Sequence, residues 1–177
     1  MASETLVLGG GCFWCLDAVF KEVRGVLAVE SGYCNGRAMA PTYEAVCTGA
    51  TGYCEVVKLV YDPARITVQD LLEVFFLIHD PTTLNRQGHD VGTQYRSGIY
   101  WTLPAQGEQA RALIGDWVAQ GYWSRPVVTE VEPLANYHAA EAYHQDFFAK
   151  NPGQGYCLAV AAPKLAKFRQ SLARLRK

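Results

Sequence analysis

An apolar run, Leu6-Val7-Leu8, stops at three consecutive glycines, Gly9 to Gly11, and apolar residues then return at a different period. Phe13, Leu16, Val19, Phe20 and Val23 recur at steps of three and four, the spacing of one helix face. Gly25 closes that helix, and residues 26–33 read as a second strand. Strand, glycine turn, helix and strand in immediate succession predict a βαβ unit. Cys12 falls where the first strand gives way to the helix.

The pattern then repeats. Residues 55–61 read as a strand closed by Asp62-Pro63, and Thr67, with Asp70 three residues on, predicts an N-cap. Residues 68–78 form a strongly apolar helix ended by Pro81, and residues 98–102 form a strand. Ala110, Leu113, Ile114, Trp117 and Val118 mark a further helix, residues 127–131 a strand, and residues 139–150 a helix. A last, basic amphipathic helix is expected over residues 163–177, carrying six Lys or Arg and no acid after Pro163. The order predicts an α+β two-layer sandwich: a split βαβ, ferredoxin-like mixed sheet with extra helices and long loops. Two long polar or glycine-rich stretches, residues 34–54 and 82–96, are unusual in a compact domain and point to function.

With 177 residues the chain is expected to be one catalytic domain, 1–177. Half its residues are hydrophobic, 19% are charged and the net charge is −1. Neither nucleic acid nor an acidic membrane is expected as a partner of such a surface. The start Met1-Ala2-Ser3-Glu4 lacks a basic flank and the first apolar run is too short for a signal core. No stretch reaches membrane-spanning length, so a cytoplasmic location is expected.

There are six cysteines, at 12, 15, 34, 47, 54 and 157. Cys12 at a helix start meets unpaired backbone N–H groups and the positive end of the macrodipole. That predicts a thiol whose pKa falls below its ordinary value, in the attacking thiolate form. Cys15 stands one helical turn on, on the same side, as in dithiol redox motifs. A zinc half-site, two inert buried cysteines and a thioredoxin-like fold are the competing readings. No second Cys-x-x-Cys and no His or Cys pair at finger spacing completes a zinc site. The aromatics lie between the cysteines, rather than before them as in the thioredoxin pattern.

The string Gly10-Gly11-Cys12-Phe13-Trp14 resembles the signature of A-type peptide methionine sulfoxide reductases. It is joined, in family order, by Gly32-Tyr33, Pro41-Thr42-Tyr43-Glu44-Ala45-Val46, Gly49-x-Thr51-Gly52-x-x-Glu55-Val56-Val57 and Tyr61-Asp62-Pro63. The run from Asn85 to Ser97, then Ala140-Glu141-x-Tyr143-His144-Gln145 and Asn151-Pro152, complete the match. The resemblance implies Cys12 as nucleophile and Glu55 as acid. It implies Tyr43 and Tyr95 as donors to the sulfoxide oxygen, and Asp90 as a site carboxylate. Phe13 and Trp14 would wall the methyl pocket. The implied enzyme is a peptide-methionine (S)-S-oxide reductase acting on methionine S-sulfoxide, free or in proteins. A Cys12 sulfenic acid and then a disulfide would follow, reduced by thioredoxin or a similar external dithiol, with no metal or organic cofactor. A general dithiol oxidoreductase and a zinc-binding module are the alternatives.

Three departures from the pattern matter. Most members have Gly where this chain has Cys15, and Gly-His-Ala-Glu where it has Gly52-Tyr53-Cys54-Glu55. The usual glycine-rich tail with a further cysteine after Cys157 is missing. Cys15 and Cys157 are both candidates to resolve Cys12. Cys15 is favoured because it is near in sequence, although a disulfide across one helical turn needs local unwinding. Cys34, Cys47 and Cys54 receive no role, with Cys54, beside Glu55, a bystander in the pocket.

Overall fold

The computed structural model describes residues 2–37 and 40–177; Met1, Ala38 and Met39, within the predicted domain and its first long loop, lie outside the described residues. β1 (Glu4–Gly9) hands over to α1 (Phe13–Phe20), and β2 (Val26–Cys34) follows. A short helix missed in the sequence, α2 (Tyr43–Cys47), sits within the first long loop; Thr42 caps it by accepting from the Ala45 N–H. β3 (Cys54–Tyr61) leads to α3 (Val68–Ile78). At the start of α3 the Thr67 hydroxyl accepts from the Asp70 N–H at 3.0 Å and the Asp70 carboxylate accepts from the Thr67 N–H at 3.3 Å. That reciprocal pair is the expected capping box.

The second polar loop folds on itself as a ribbon, β4 (Arg86–Gln87) and β5 (Asp90–Val91), followed by a 3-10 turn at Thr93–Tyr95. β6 (Gly98–Trp101), α4 (Pro104–Ala119), β7 (Glu130–Pro133) and β8 (His138–Ala139) come next. The chain ends with α5 (Phe147–Lys150), a π-helical turn at Cys157–Ala161, α6 (Ala162–Ser171) and a 3-10 turn at Ala173–Leu175.

The main sheet runs β7-β6-β1-β3-β2-β8, antiparallel at every pairing except β6 with β7. β3 is therefore threaded between the two strands that α1 connects. Period-two alternation then assigns its residues to opposite faces. Val57, Leu59 and Tyr61 join Leu6, Leu8 and Tyr33 under Leu16, Val19 and Phe20 of α1, Leu72 and Phe75 of α3 and Phe168 of α6. Cys54 and Val56 face the other way and pack with Val7, Cys34 and Tyr100. Mixed sheet and helices together give the α+β class expected.

Residues 139–150 do not form the single helix expected from their composition. β8, a 3-10 turn at Ala142–His144 and the short α5 take their place. The polar side chains of this segment are engaged elsewhere: Gln145 exchanges two 2.9 Å hydrogen bonds with the Ser31 backbone of β2. Asp146 adopts a left-handed conformation, φ 58°, which interrupts any helix. The strand expected over residues 127–131 also lies further along the chain, since β7 pairs through residues 130–133. On α4 the apolar stripe is displaced: Val118 is exposed while Gln106 is buried, bonded to the Thr5 carbonyl and the Tyr61 hydroxyl.

Candidate active site

Cys12 occupies the N-cap of α1 in extended conformation, φ −66° and ψ 130°. Gly11 before it has φ 90°, and a Cβ there would stand 3.0 Å from the Gln87 side chain. Only glycine makes that bend without strain. The Cys15 N–H donates to the Cys12 carbonyl at 3.1 Å, and the Trp14 N–H bonds the Cys12 sulfur. This last bond favours the thiolate, as the helix start predicts. It is outweighed. Burial pushes the Cys12 thiol well above its ordinary value, and the charges of Glu55 and Cys15 push it further. The resting nucleophile is thus a thiol, not the thiolate expected from its position, because one backbone bond does not replace the water lost on burial.

Glu55 explains part of this. The register places it opposite Tyr33, beyond the end of the β1–β3 pairing and on the face that carries α1. Its Oε1 accepts from the Phe13 N–H at 3.3 Å. Among the described residues its buried Oε2 has no partner. Burial raises the carboxyl to about 8, the Phe13 bond opposes this and Asp90 adds to it. Glu55 therefore carries its proton at neutral pH, as the resemblance requires of an acid, and burial is the cause.

Tyr43 opens α2, and its N–H donates to Glu141 Oε2 at 2.9 Å while its phenol shares a hydrogen bond with Cys47. Tyr95 closes the 3-10 turn after the ribbon. Burial raises both phenols far above their usual range, with Glu55 contributing to each, so both remain O–H donors. Asp90, on β5, accepts from the Tyr156 hydroxyl at 2.6 Å. Its charge is felt by Cys12, Glu55 and Tyr95 alike. The fold thus brings Cys12, Glu55, Tyr95 and Asp90 within electrostatic reach of one another, with Tyr43 coupled to the same group.

The two aromatics of the signature separate. Phe13 is fully buried, its ring 5.6 Å from Tyr33 and 5.0 Å from His144. Trp14 is half-buried, stacked on Phe147 at 3.8 Å, with Tyr156 edge-on at 5.8 Å. Its indole N–H donates to His144 Nδ1 at 3.0 Å.

Cys15 is fully buried, and its thiol donates to the Tyr156 hydroxyl at 3.8 Å. Cys157, in the π-helical turn, is also buried and close enough for its charge to act on Cys15. Cys34 and Cys54 are direct cross-strand partners on the far face of the sheet. Cys54 is therefore not a bystander in the pocket: adjacent strand residues point to opposite faces, and Glu55 takes the near one. Cys47 is exposed.

Glu141, His144 and Tyr156 serve this site without having been assigned a role from the sequence. Glu141 accepts from the Tyr33 hydroxyl at 2.8 Å as well as from Tyr43, and so ties β2 to α2. His144 is fully buried among the rings of Phe13, Trp14, Tyr43 and Tyr143. Glu141 and His144 stand in a motif already recognised, and Tyr156 adjoins Cys157, which was the available signal. Among the described residues no three of His, Cys, Asp or Glu cluster as metal ligands, and no helix is long and apolar enough to cross a membrane.

A family model described as peptide methionine sulfoxide reductase matches residues 4–176. A peptide methionine sulfoxide reductase MsrA of Chromobacterium violaceum is 51% identical over 172 residues, covering 97% of this chain and 98% of that protein. One from Clavibacter sepedonicus is 55% identical, covering 96% of each. Among solved structures, reduced Mxr1 of Saccharomyces cerevisiae superposes with a TM-score of 0.82 at 35% identity, over 88% of this chain and 89% of that one. Methionine sulfoxide reductase A of Corynebacterium diphtheriae gives 0.79 at 38% identity, over 89% and 78%.

Proposed function

Because the chain belongs to the peptide methionine sulfoxide reductase family, we propose that it reduces methionine S-sulfoxide, free or in proteins, through Cys12. The observation that carries this is Glu55: a buried carboxyl raised to about 8, beside the nucleophile, with one oxygen unpartnered. Reducing a sulfoxide requires a soft nucleophile for sulfur and a proton for oxygen. Thiol–disulfide exchange has no oxygen to protonate.

In the reaction the Cys12 sulfur attacks the sulfoxide sulfur while Glu55 gives its proton to the oxygen and the Cys12 thiol proton passes to the Glu55 carboxylate, and the Tyr43 and Tyr95 hydroxyls hold that oxygen by neutral hydrogen bonds. The oxygen passes to Cys12. Methionine leaves, and the thiol has become a sulfenic acid, a two-electron oxidation matched by the reduction of the substrate. Trp14 supplies an apolar face for the S-methyl group, with Phe13 packed behind it. A protonated Glu55 also serves the nucleophile, since its charge, when present, opposes the thiolate.

Cys15 then closes a disulfide with Cys12, with Cys157 as the second candidate, and an external dithiol such as thioredoxin reduces it. Solved Mxr1 has been captured in complex with Trx2, which accords with this reductant. The oxygen transfer uses only thiols and a carboxyl, so no resident metal or cofactor is part of the proposal. The strand order β6-β1-β3-β2, with α1 and α3 as connections, supports a ferredoxin-like core forming one catalytic domain. A cytoplasmic location fits reduced thiols.

The test is turnover of a methionine sulfoxide peptide, resolved into epimers, with dithiothreitol as reductant. Consumption of the S-epimer, abolished by Cys12→Ser, is expected. Persistence of both epimers, or full activity of Cys12→Ser, would show the proposal to be wrong.

A further inference from the structure

Cys15 poses a proton problem. Attack on a sulfenic acid needs a thiolate, yet Cys15 is fully buried and burial raises its thiol. Its thiol donates to Tyr156, whose hydroxyl lies 3.8 Å from the sulfur and donates in turn to Asp90 Oδ2 at 2.6 Å. Both bonds run in the same direction, from Cys15 to Tyr156 to Asp90. We propose that Tyr156 relays the Cys15 proton to Asp90 as Cys15 attacks the Cys12 sulfenic acid.

The proposal rests on Cys15 as the resolving thiol, the reading given above. The atoms balance without an added oxidant. The Cys15 sulfur forms a bond to the Cys12 sulfur, the Cys12 S–O bond breaks, and its electron pair leaves with oxygen. The Cys15 proton passes to the Tyr156 oxygen as the Tyr156 proton passes to Asp90. The departing hydroxide takes up the proton now on Asp90 and leaves as water, so the site ends with the charge it began with.

Several features suit Tyr156 to this task. Burial and the nearby thiols raise its phenol far above the usual range, so phenolate is not a resting species and the two transfers are concerted. Its ring is held edge-on to Trp14, 5.8 Å between centroids. Asp90 acts electrostatically on both Cys12 and Cys15, so the acceptor is within reach of the thiol that loses a proton and of the sulfur that loses oxygen. Lys164 of α6 shares a cavity of about 760 Å³ with Tyr156 and Asp90, and its charge favours the Cys15 thiolate.

The experiment uses Cys157→Ser protein, so that Cys15 is the available resolver, with and without Tyr156→Phe. One equivalent of S-sulfoxide peptide is mixed in, and methionine release and the Cys12–Cys15 disulfide are followed separately in water and in D2O. With Tyr156→Phe, disulfide formation is expected to slow by ~100-fold relative to methionine release, at the low end of what general acid–base groups contribute. The solvent isotope effect on that step is expected to change with it. Methionine release reports that the variant is folded. Disulfide formation at the parent rate, or a slowing that merely follows slower methionine release, overturns the relay. Methionine release with no Cys12–Cys15 disulfide in Cys157→Ser itself overturns the assignment of Cys15, and the relay with it.

Discussion

The Phe13 N–H lies 3.3 Å from Glu55 Oε1, so the first turn of α1 and the inserted strand β3 meet at a single carboxyl. The proposed reaction uses the protonated form of that carboxyl, which burial keeps up to about pH 8. The chemical step is therefore expected to fall off as pH rises through about 8, measured as single-turnover methionine release. Glu55→Gln is expected to lower it by about 10²–10⁴. Stability also falls with rising pH, beginning at lower pH. The folded carboxyl titrates above its unfolded value of 4.5, so Glu55 favours the folded state fully below about pH 4.5 and loses that advantage as pH rises to about 8. Glu55→Gln is expected to be more stable than wild type at pH 9, by roughly 1–3 kcal/mol, in denaturant titrations.

The strands and helices that frame this site follow the simplest sequence signals. β1, α1, β2 and α3 are long enough for period two or period 3.6 to show, and Thr67 and Asp70 marked the start of α3 by chemistry alone. Other features depend on partners distant in sequence. The segment 139–150 has helix-forming composition, but Gln145 and Glu141 reach β2 and α2 instead. The Cys12 thiol was misjudged for a related reason. A helix start is visible in sequence, whereas the burial and the neighbouring Glu55 that outweigh it arrive with tertiary packing. Within the site, resemblance names the side chains proposed to carry the chemistry, while the contacts that hold them, through His144 and Glu141, are legible only in the structure.

His144 holds Trp14 through its unprotonated Nδ1, since the indole N–H can only donate. Burial lowers the imidazole below its ordinary 6.5, so it is neutral at pH 7. Its contribution to stability is present above pH 6.5 and is lost as pH falls toward the lowered folded value. His144→Leu leaves the indole N–H without its acceptor and is expected to raise KM about tenfold, at a cost in stability of about 1–3 kcal/mol. His144→Asn, whose amide oxygen can stand near the Nδ1 position, is expected to recover most of the KM. Steady-state kinetics and tryptophan fluorescence check this together; equal KM values for the Leu and Asn variants would assign His144 a packing role only.

Glu141 spans two elements with one carboxylate, 2.8 Å from the Tyr33 hydroxyl and 2.9 Å from the Tyr43 N–H. Those bonds hold its own carboxyl below the usual range, although its partial burial opposes them. Glu141→Ala releases the start of α2, and with it the Tyr43 phenol. The expected result is a loss of kcat of about tenfold, less than the roughly 10²–10³ lost when a donor to a developing oxyanion is removed outright. Glu141→Gln keeps an acceptor for one of the two donors and is expected to fall between. Rapid-quench measurement of methionine release separates this from any effect on the disulfide steps.

Gly11 controls where the nucleophile stands. Its φ of 90° is closed to side-chain-bearing residues without strain, and an added Cβ would also press on Gln87 at 3.0 Å. Gln87 is itself fixed, since its Oε1 accepts from the Asp80 N–H at 2.8 Å, so it does not give way freely. Gly11→Ala is expected to cost about 1–2 kcal/mol from the left-handed conformation alone. The larger effect falls on Cys12, the next residue, which must shift relative to Glu55 on a strand that does not move with it. Thermal unfolding and single-turnover methionine release distinguish the two consequences. A small loss of stability with a loss of rate of about 10²-fold is expected, because displacement of a reacting group by about 1 Å has that effect. A variant that loses stability yet keeps its rate would show that the bend shapes the fold and not the position of the thiol.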